Sequence, residues 1–204
     1  MSNTIELTAG APRAATEERL LERVALALNS TLELRGVLRV LAEVTLEVSG
    51  ADRCSLFLLE GHTLHPAVAI GTEEDGDLWS AFRGMGPVDL DDIPGALEHL
   101  RAGKAVGIDD AGASNLVPHG WVERFSLRTL VLVPLLAAGE PCGLMAVDFR
   151  TYHPIGQREL ALLEAIGAYA GVAVRNARLF EAVSRRARLQ EAMARGASAL
   201  VSTR

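Results

Sequence analysis

The chain has 204 residues, 49% of them hydrophobic and 23% charged, which fits one compact domain with appendages. A formal net charge of −6 argues against a nucleic-acid-binding surface, which needs clustered Lys and Arg to neutralise phosphates. No apolar run reaches the roughly 18–20 residues that span a bilayer, and the opening MSNTIELTAGAPRAATEE is too polar for a secretory signal, so a cytoplasmic chain with reduced thiols is expected.

Residues 1–16 are rich in Thr, Ala and Gly and are expected to be disordered. A helix over 17–29 follows, with Leu20, Leu21, Val24, Ala25 and Leu28 on one face. NST breaks it before a second helix that carries Leu34, Val37, Leu38, Leu41, Val44 and Val48, with Gly50 at its C-terminal end. RCSLFLLE and TLHPAVAI then read as strands joined by a turn at Gly61 and His62. Along the first of these Cys54 alternates with Leu56 and Leu58 on one face, the setting of a buried structural thiol.

GTEEDGDLWSAFRGMG reads as a loop and short helix, and DDIPGALEHLRAGKA as another short helix with Asp91 or Asp92 near its cap. VGIDDA is a short strand, and DAGASNLVPHGW (110–121) an irregular loop. TLVLVPLL, AAGEPC and GLMAVDFR form the clearest hairpin, with Gly139 and Pro141 supplying its turn. Helices thus bracket about five or six strands joined largely by hairpins, which predicts an α+β fold with an antiparallel sheet.

The chain closes on one long helix over about 160–202, which contains no Pro and only Gly167, Gly171 and Gly196 as glycines. At about 1.5 Å per residue it runs roughly 60 Å, more than a small domain can cover. One stripe, through Leu162, Leu163 and Ile166, faces the domain's own sheet. A second follows near-heptad spacing through Tyr169, Val172, Asn176, Leu179 and Val183 and continues to Leu200, with polar interruptions. Such a helix is marginal alone in water, so a homodimer through 17–29 and 165–200 is expected.

At this point the sequence resembles a GAF domain over residues 17–182. Four stretches carry the resemblance: LLERVALALNSTLELRGVLRVLAEVTLEVSGADRCSLFLL, AGKAVGIDDAGAS, SLRTLVLVPLLAAGEPCGLMAVDF and HPIGQRELALLEAIGAYAGVAVRNARLFE. The resemblance implies a central antiparallel sheet with the N- and C-terminal helices on one face. Short helices and loops then enclose a small-molecule pocket on the other. It also implies a non-enzymatic sensory or regulatory module, relaying occupancy through residues 183–204 to an output domain or partner. The chain accordingly reads as the N-terminal part of a longer regulator.

Known GAF ligands include cyclic nucleotides, haem, bilins, nitrate, 2-oxoglutarate and amino acids, and several can be weighed against these residues. The cyclic-nucleotide set Asn-Lys…Phe…Asp-Glu has no counterpart in FRTYHPIGQRE. Neither Cys54 nor Cys142 is followed by the His that covalent bilin attachment needs, and two cysteines do not supply the cluster of the methionine sulfoxide reductases of this fold. For haem, His119 lies in a plausible loop but nine residues before Arg128 and Thr129, and its Pro118 and Gly120 neighbours suit an exposed turn.

The expected ligand-binding residues are Trp79, Phe82, Asp109, His119, Trp121 and Arg128, with no catalytic residue, no metal ligand and no identified cofactor. Three aromatics near the lid are as well suited to capping the core as to lining a pocket, and solvation explains the aspartates Asp109 and Asp110 equally well. His62 and His65 read as surface residues, and His99 and His153 as makers of ordinary hydrogen bonds. The competing readings are a ligand-free dimerisation scaffold and a haem-based gas or redox sensor through His119.

Overall fold

The computed structural model describes residues 34–72 and 75–201. The expected disorder of 1–16 and the helix over 17–29 lie outside the described residues. The element order is α1 (Leu34–Ser49), β1 (Arg53–Glu60), β2 (Thr63–Gly71), α2 (Leu78–Arg83), β3 (Val88–Asp89), α3 (Ala96–Ala102), β4 (Val106–Ile108), α4 (His119–Phe125), β5 (Thr129–Ala137), β6 (Glu140–Phe149) and α5 (Gln157–Val201). Single 3-10 turns at Leu90–Asp92 and Ala111–Ala113 join the shorter pieces. The six strands form one antiparallel sheet in the order β3-β2-β1-β6-β5-β4, the α+β architecture expected.

Strand alternation sorts the side chains into two faces. On one, Cys54 and Leu56 of β1, Val131, Val133 and Leu135 of β5, and Met145 and Val147 of β6 pack with α1 and α5. α1 contributes Val37, Leu38, Leu41 and Val44, the stripe its spacing predicts, and ends at Gly50 with φ +65°. Thr45, also on the buried side, returns its hydroxyl to the Leu41 carbonyl at 2.8 Å, so this polar group enters the core satisfied.

α5 lies on the same face through Leu163, Ile166, Ala170, Ala173 and Val174. Gly171 makes the close approach possible, since a Cβ there would stand 2.0 Å from the Leu136 carbonyl oxygen. Beyond the sheet α5 continues to Val201, 45 residues in all, with Tyr169, Val172, Leu179, Phe180 and Val183 exposed. These include the apolar members of the second stripe as far as Val183; its side chains toward Leu200 lie outside the described residues.

Three local expectations need correction. The β5–β6 turn is the two-residue step Ala138-Gly139, both at positive φ (+54° and +86°), rather than a longer AAGEPC loop. This is the geometry that matches strand twist. Pro141 already lies in β6, opposite Leu136 and beyond the last β1 partner at Gly143, so its missing N–H costs no ladder bond to β1. The 91–92 cap is instead Asp89, which accepts from the Asp91 N–H at 3.0 Å and starts a 3-10 turn; α3 begins after Gly95. The 110–121 segment is not wholly irregular, because Pro118 presets the entry to α4.

Candidate ligand site

The other sheet face carries Arg53, Ser55 and Phe57 of β1, Leu130 and Leu132 of β5, and Leu144, Ala146 and Asp148 of β6. Over it lie α2, the segment from β3 to α3, residues 116–118 and α4. Between sheet and lid is a cavity of about 70 Å³. Phe57, Phe82 and Trp121 form its aromatic wall: Phe57 stands 4.8 Å from Phe82 and stacks on Trp121 at 5.6 Å between ring centroids. Outside, a groove of about 410 Å³ shares Val88, Ile93, Val117, Pro118 and Trp121 with the cavity and forms its mouth.

One end of the cavity is charged. Arg53 and Asp148 sit directly opposite each other in the β1–β6 register and are only 5% and 6% exposed. The Arg53 Nε donates to Asp148 Oδ1 at 2.7 Å, its Nη1 lies 3.4 Å from Asp75 Oδ1, and its Nη2 donates to the Phe125 carbonyl. The Phe125 ring also lies under the guanidinium, 5.6 Å from its carbon. Arg53 therefore ties the sheet to both the loop after β2 and the α4 lid.

Arg150 joins the cluster by donating to Asp75, and its backbone N–H bonds Asp52 at 2.8 Å. Burial pushes the Asp148 carboxyl up to about 6; Arg53 opposes the shift, while Asp75 and Asp52 add to it. Both Arg53 contacts fall on Oδ1, and among the described residues Oδ2 has no partner.

A second hollow, of about 40 Å³, adjoins the first across Leu64, Ile93, Leu116, Leu132 and Leu144. His99 lines it, and among the described residues its Nε2 is buried without a hydrogen-bond partner. Burial lowers its pKa, with the nearby Leu132 carbonyl acting in the opposite sense. His153 does pair, through Nε2 to Glu159 at 3.1 Å, while its ring stacks on Phe149.

Of the residues singled out in the sequence, Phe82 and Trp121 line the cavity. Trp79 stands one layer out, 6.0 Å from Phe82 and beneath Arg35 of α1. His119 opens α4 on the exposed rim of the outer groove. Asp109 and Arg128 do not reach the cavity: both are exposed, and Arg128 pairs with Asp110 at 3.1 Å beyond the sheet's β4 side.

The residues the sequence reading missed are Arg53, Ser55 and Asp148. Their signal was the same alternation that put Cys54 and Leu56 on the packed face, since it necessarily sends Arg53, Ser55 and Phe57 to the other. Cys54 is fully buried toward α1, and burial pushes its thiol well above its usual value, so it is not a ready thiolate. Among the described residues no group of three or more His, Cys, Asp or Glu could hold a metal ion.

A helix-backed antiparallel sheet with a lidded cavity on its free face defines the class. A family model described as "GAF domain" matches residues 33–174, and the chain belongs to that family. GAF domains are typically sensory or regulatory modules of signalling proteins. No curated protein matches.

Three solved structures illustrate the fold. The GAF domain of a Coxiella burnetii phosphoenolpyruvate-protein phosphotransferase superposes with a TM-score of 0.68 at 16% identity, covering 83% of this chain and 98% of that one. The phycoerythrobilin-bound GAF domain of a cyanobacterial phytochrome gives 0.66 at 18% identity, over 82% and 99%. A GAF/HD-domain protein from Geobacter sulfurreducens gives 0.63 at 20% identity, over 74% and 98%. At these identities the likeness shows the fold alone.

Proposed function

We propose that this chain is a sensory module that binds a small molecule in the lidded cavity and relays occupancy along α5. The observation that carries the reading is a lidded, aromatic-walled cavity with a charged pair at one end, on a sheet whose other face is packed by α5. β5 and β6 serve both sides. Leu132 and Leu144 face the cavity, whereas the neighbouring Val133 and Met145 meet the helices. A ligand that favours one arrangement of lid and sheet thereby biases how α5 is held.

In this reading Phe82 and Trp121 are wall residues, and residues 17–182 form the sensor with 183–204 as connector. The exposed stripe through Tyr169, Val172, Leu179 and Val183 pairs with a second copy and leads to an output domain or partner. A cytoplasmic setting is the natural one; no helix among the described residues is long and apolar enough to cross a membrane.

The test is mass spectrometry of small molecules released from protein purified from cells, compared with Ala146→Leu, which fills the cavity floor. A compound bound to the first and missing from the second is expected. Identical extracts from both would remove the site. For the relay, light scattering of a chain truncated after Glu181 should show weaker self-association than the full chain, and a full chain that stays monomeric at high micromolar concentration would contradict pairing.

A further inference from the structure

We propose that the cavity is built for a small aromatic molecule bearing a hydrogen-bond donor, such as a phenol, seated on Ser55 and Asp148, and that it rejects carboxylates. The proposal rests on the ligand-site reading above and adds the chemistry of the ligand.

Ser55 is 8% exposed and lines the cavity, yet among the described residues its hydroxyl has no hydrogen-bond partner. A hydroxyl on the cavity wall with no protein partner marks a place for a ligand group or a water. Asp148 lies on the neighbouring strand, its Cα partner Arg53 two residues before Ser55, and it brings a second unused acceptor, Oδ2. Asp148 Oδ2 can only accept while ionised and the Ser55 hydroxyl can accept or donate, so a ligand donor suits both groups.

Arg53 is the obvious rival handle, and it points the other way. Each of its side-chain nitrogens already has a partner, in Asp148, Asp75 or the Phe125 carbonyl, which holds the guanidinium within that cluster. Among the described residues three carboxylates (Asp52, Asp75 and Asp148) surround two guanidiniums (Arg53 and Arg150), one more acid than base. An incoming carboxylate would meet the Asp148 carboxylate at close range, and like charges there repel. The remaining walls are apolar and aromatic. The volume of about 70 Å³ is several times the roughly 10–15 Å³ that admits one water and about half the roughly 150 Å³ that holds benzene, so the lid gives way slightly to seat a ring.

Phenol, toluene and benzoate serve as probes, titrated into the full chain and into Ser55→Ala and followed by backbone amide NMR shifts. A hydroxyl entering a purely apolar cavity loses its hydration, so such a cavity prefers toluene. The expected result is phenol binding at least as tightly as toluene and benzoate binding weakest. Ser55→Ala should weaken phenol about fivefold or more and leave toluene unchanged or tighter. Toluene tighter than phenol in the unaltered chain, benzoate tightest, or a phenol affinity indifferent to Ser55→Ala would overturn the donor proposal while leaving the cavity a ligand site. No shift with any of the three probes at millimolar concentration would overturn both readings.

Discussion

The two faces of the sheet are made by the same six strands and are packed to opposite ends. Toward α1 and α5 the residues interlock, and glycine at 171 lets the helix backbone come down onto β5. Toward the lid, short helices and a 3-10 turn span the sheet without filling it, and a charged pair sits where the first face has Cys54 and Val147. One face holds the fold together; the other leaves stability unclaimed where a ligand can supply it.

Substitutions that break this contrast should differ most on the packed face. Gly171→Ala forces a methyl against the Leu136 carbonyl, and urea denaturation should show a loss of about 3 kcal/mol or more. Arg53→Met comes next, because it leaves Asp148 buried without its partner; at pH 8 it should cost about 3 kcal/mol.

The Arg53→Met effect carries a pH signature with a definite sign. The Asp148 carboxyl ionises at about 6 when folded, against a reference of 3.8. Its contribution is therefore fullest below about pH 4 and is lost as pH rises through about 6. Without Arg53 the carboxyl becomes harder still to ionise, so the penalty of Arg53→Met should shrink on going from pH 8 to pH 5. A penalty that grows toward pH 5 would contradict the assignment of Asp148 as a carboxyl whose charge is costly in the fold.

Ala146→Leu makes the converse point on the cavity face. Adding volume to a filled core is penalised, whereas this side chain has space to enter, and thermal unfolding should place its cost within about 1 kcal/mol. The smallest effect is expected at His119→Ala: within a few tenths of a kcal/mol, as for an ordinary surface substitution. Protein made with haem supplied should show no stoichiometric Soret band, and a red protein that His119→Ala bleaches would reverse that assignment.

What the sequence revealed follows the same division. The packed face was legible because its residues are apolar at regular spacing, so α1, β1, the β5–β6 hairpin and the first stripe of α5 could be read directly. Phe82 and Trp121 stood out as scarce aromatics near an expected lid. Arg53 and Asp148 did not, since each sits at the edge of an apolar strand, where a charge normally marks the surface. Their meeting depends on the β1–β6 register across 95 residues of chain, which no local pattern encodes. Asp109 and Arg128 misled for the complementary reason: polar residues beside a strand were read as pocket contacts, but Asp109 follows the edge strand β4 and Arg128, just before β5, pairs with Asp110 in the open.

Crystals held under xenon pressure test the contrast between the faces most directly, because xenon enters dry apolar cavities and needs no chemical handle. The account predicts a xenon site among Phe57, Phe82, Trp121 and Leu144, absent in Ala146→Leu, and none between the sheet and α1 or α5. An empty lid face, or xenon lodged instead against α5, would contradict it.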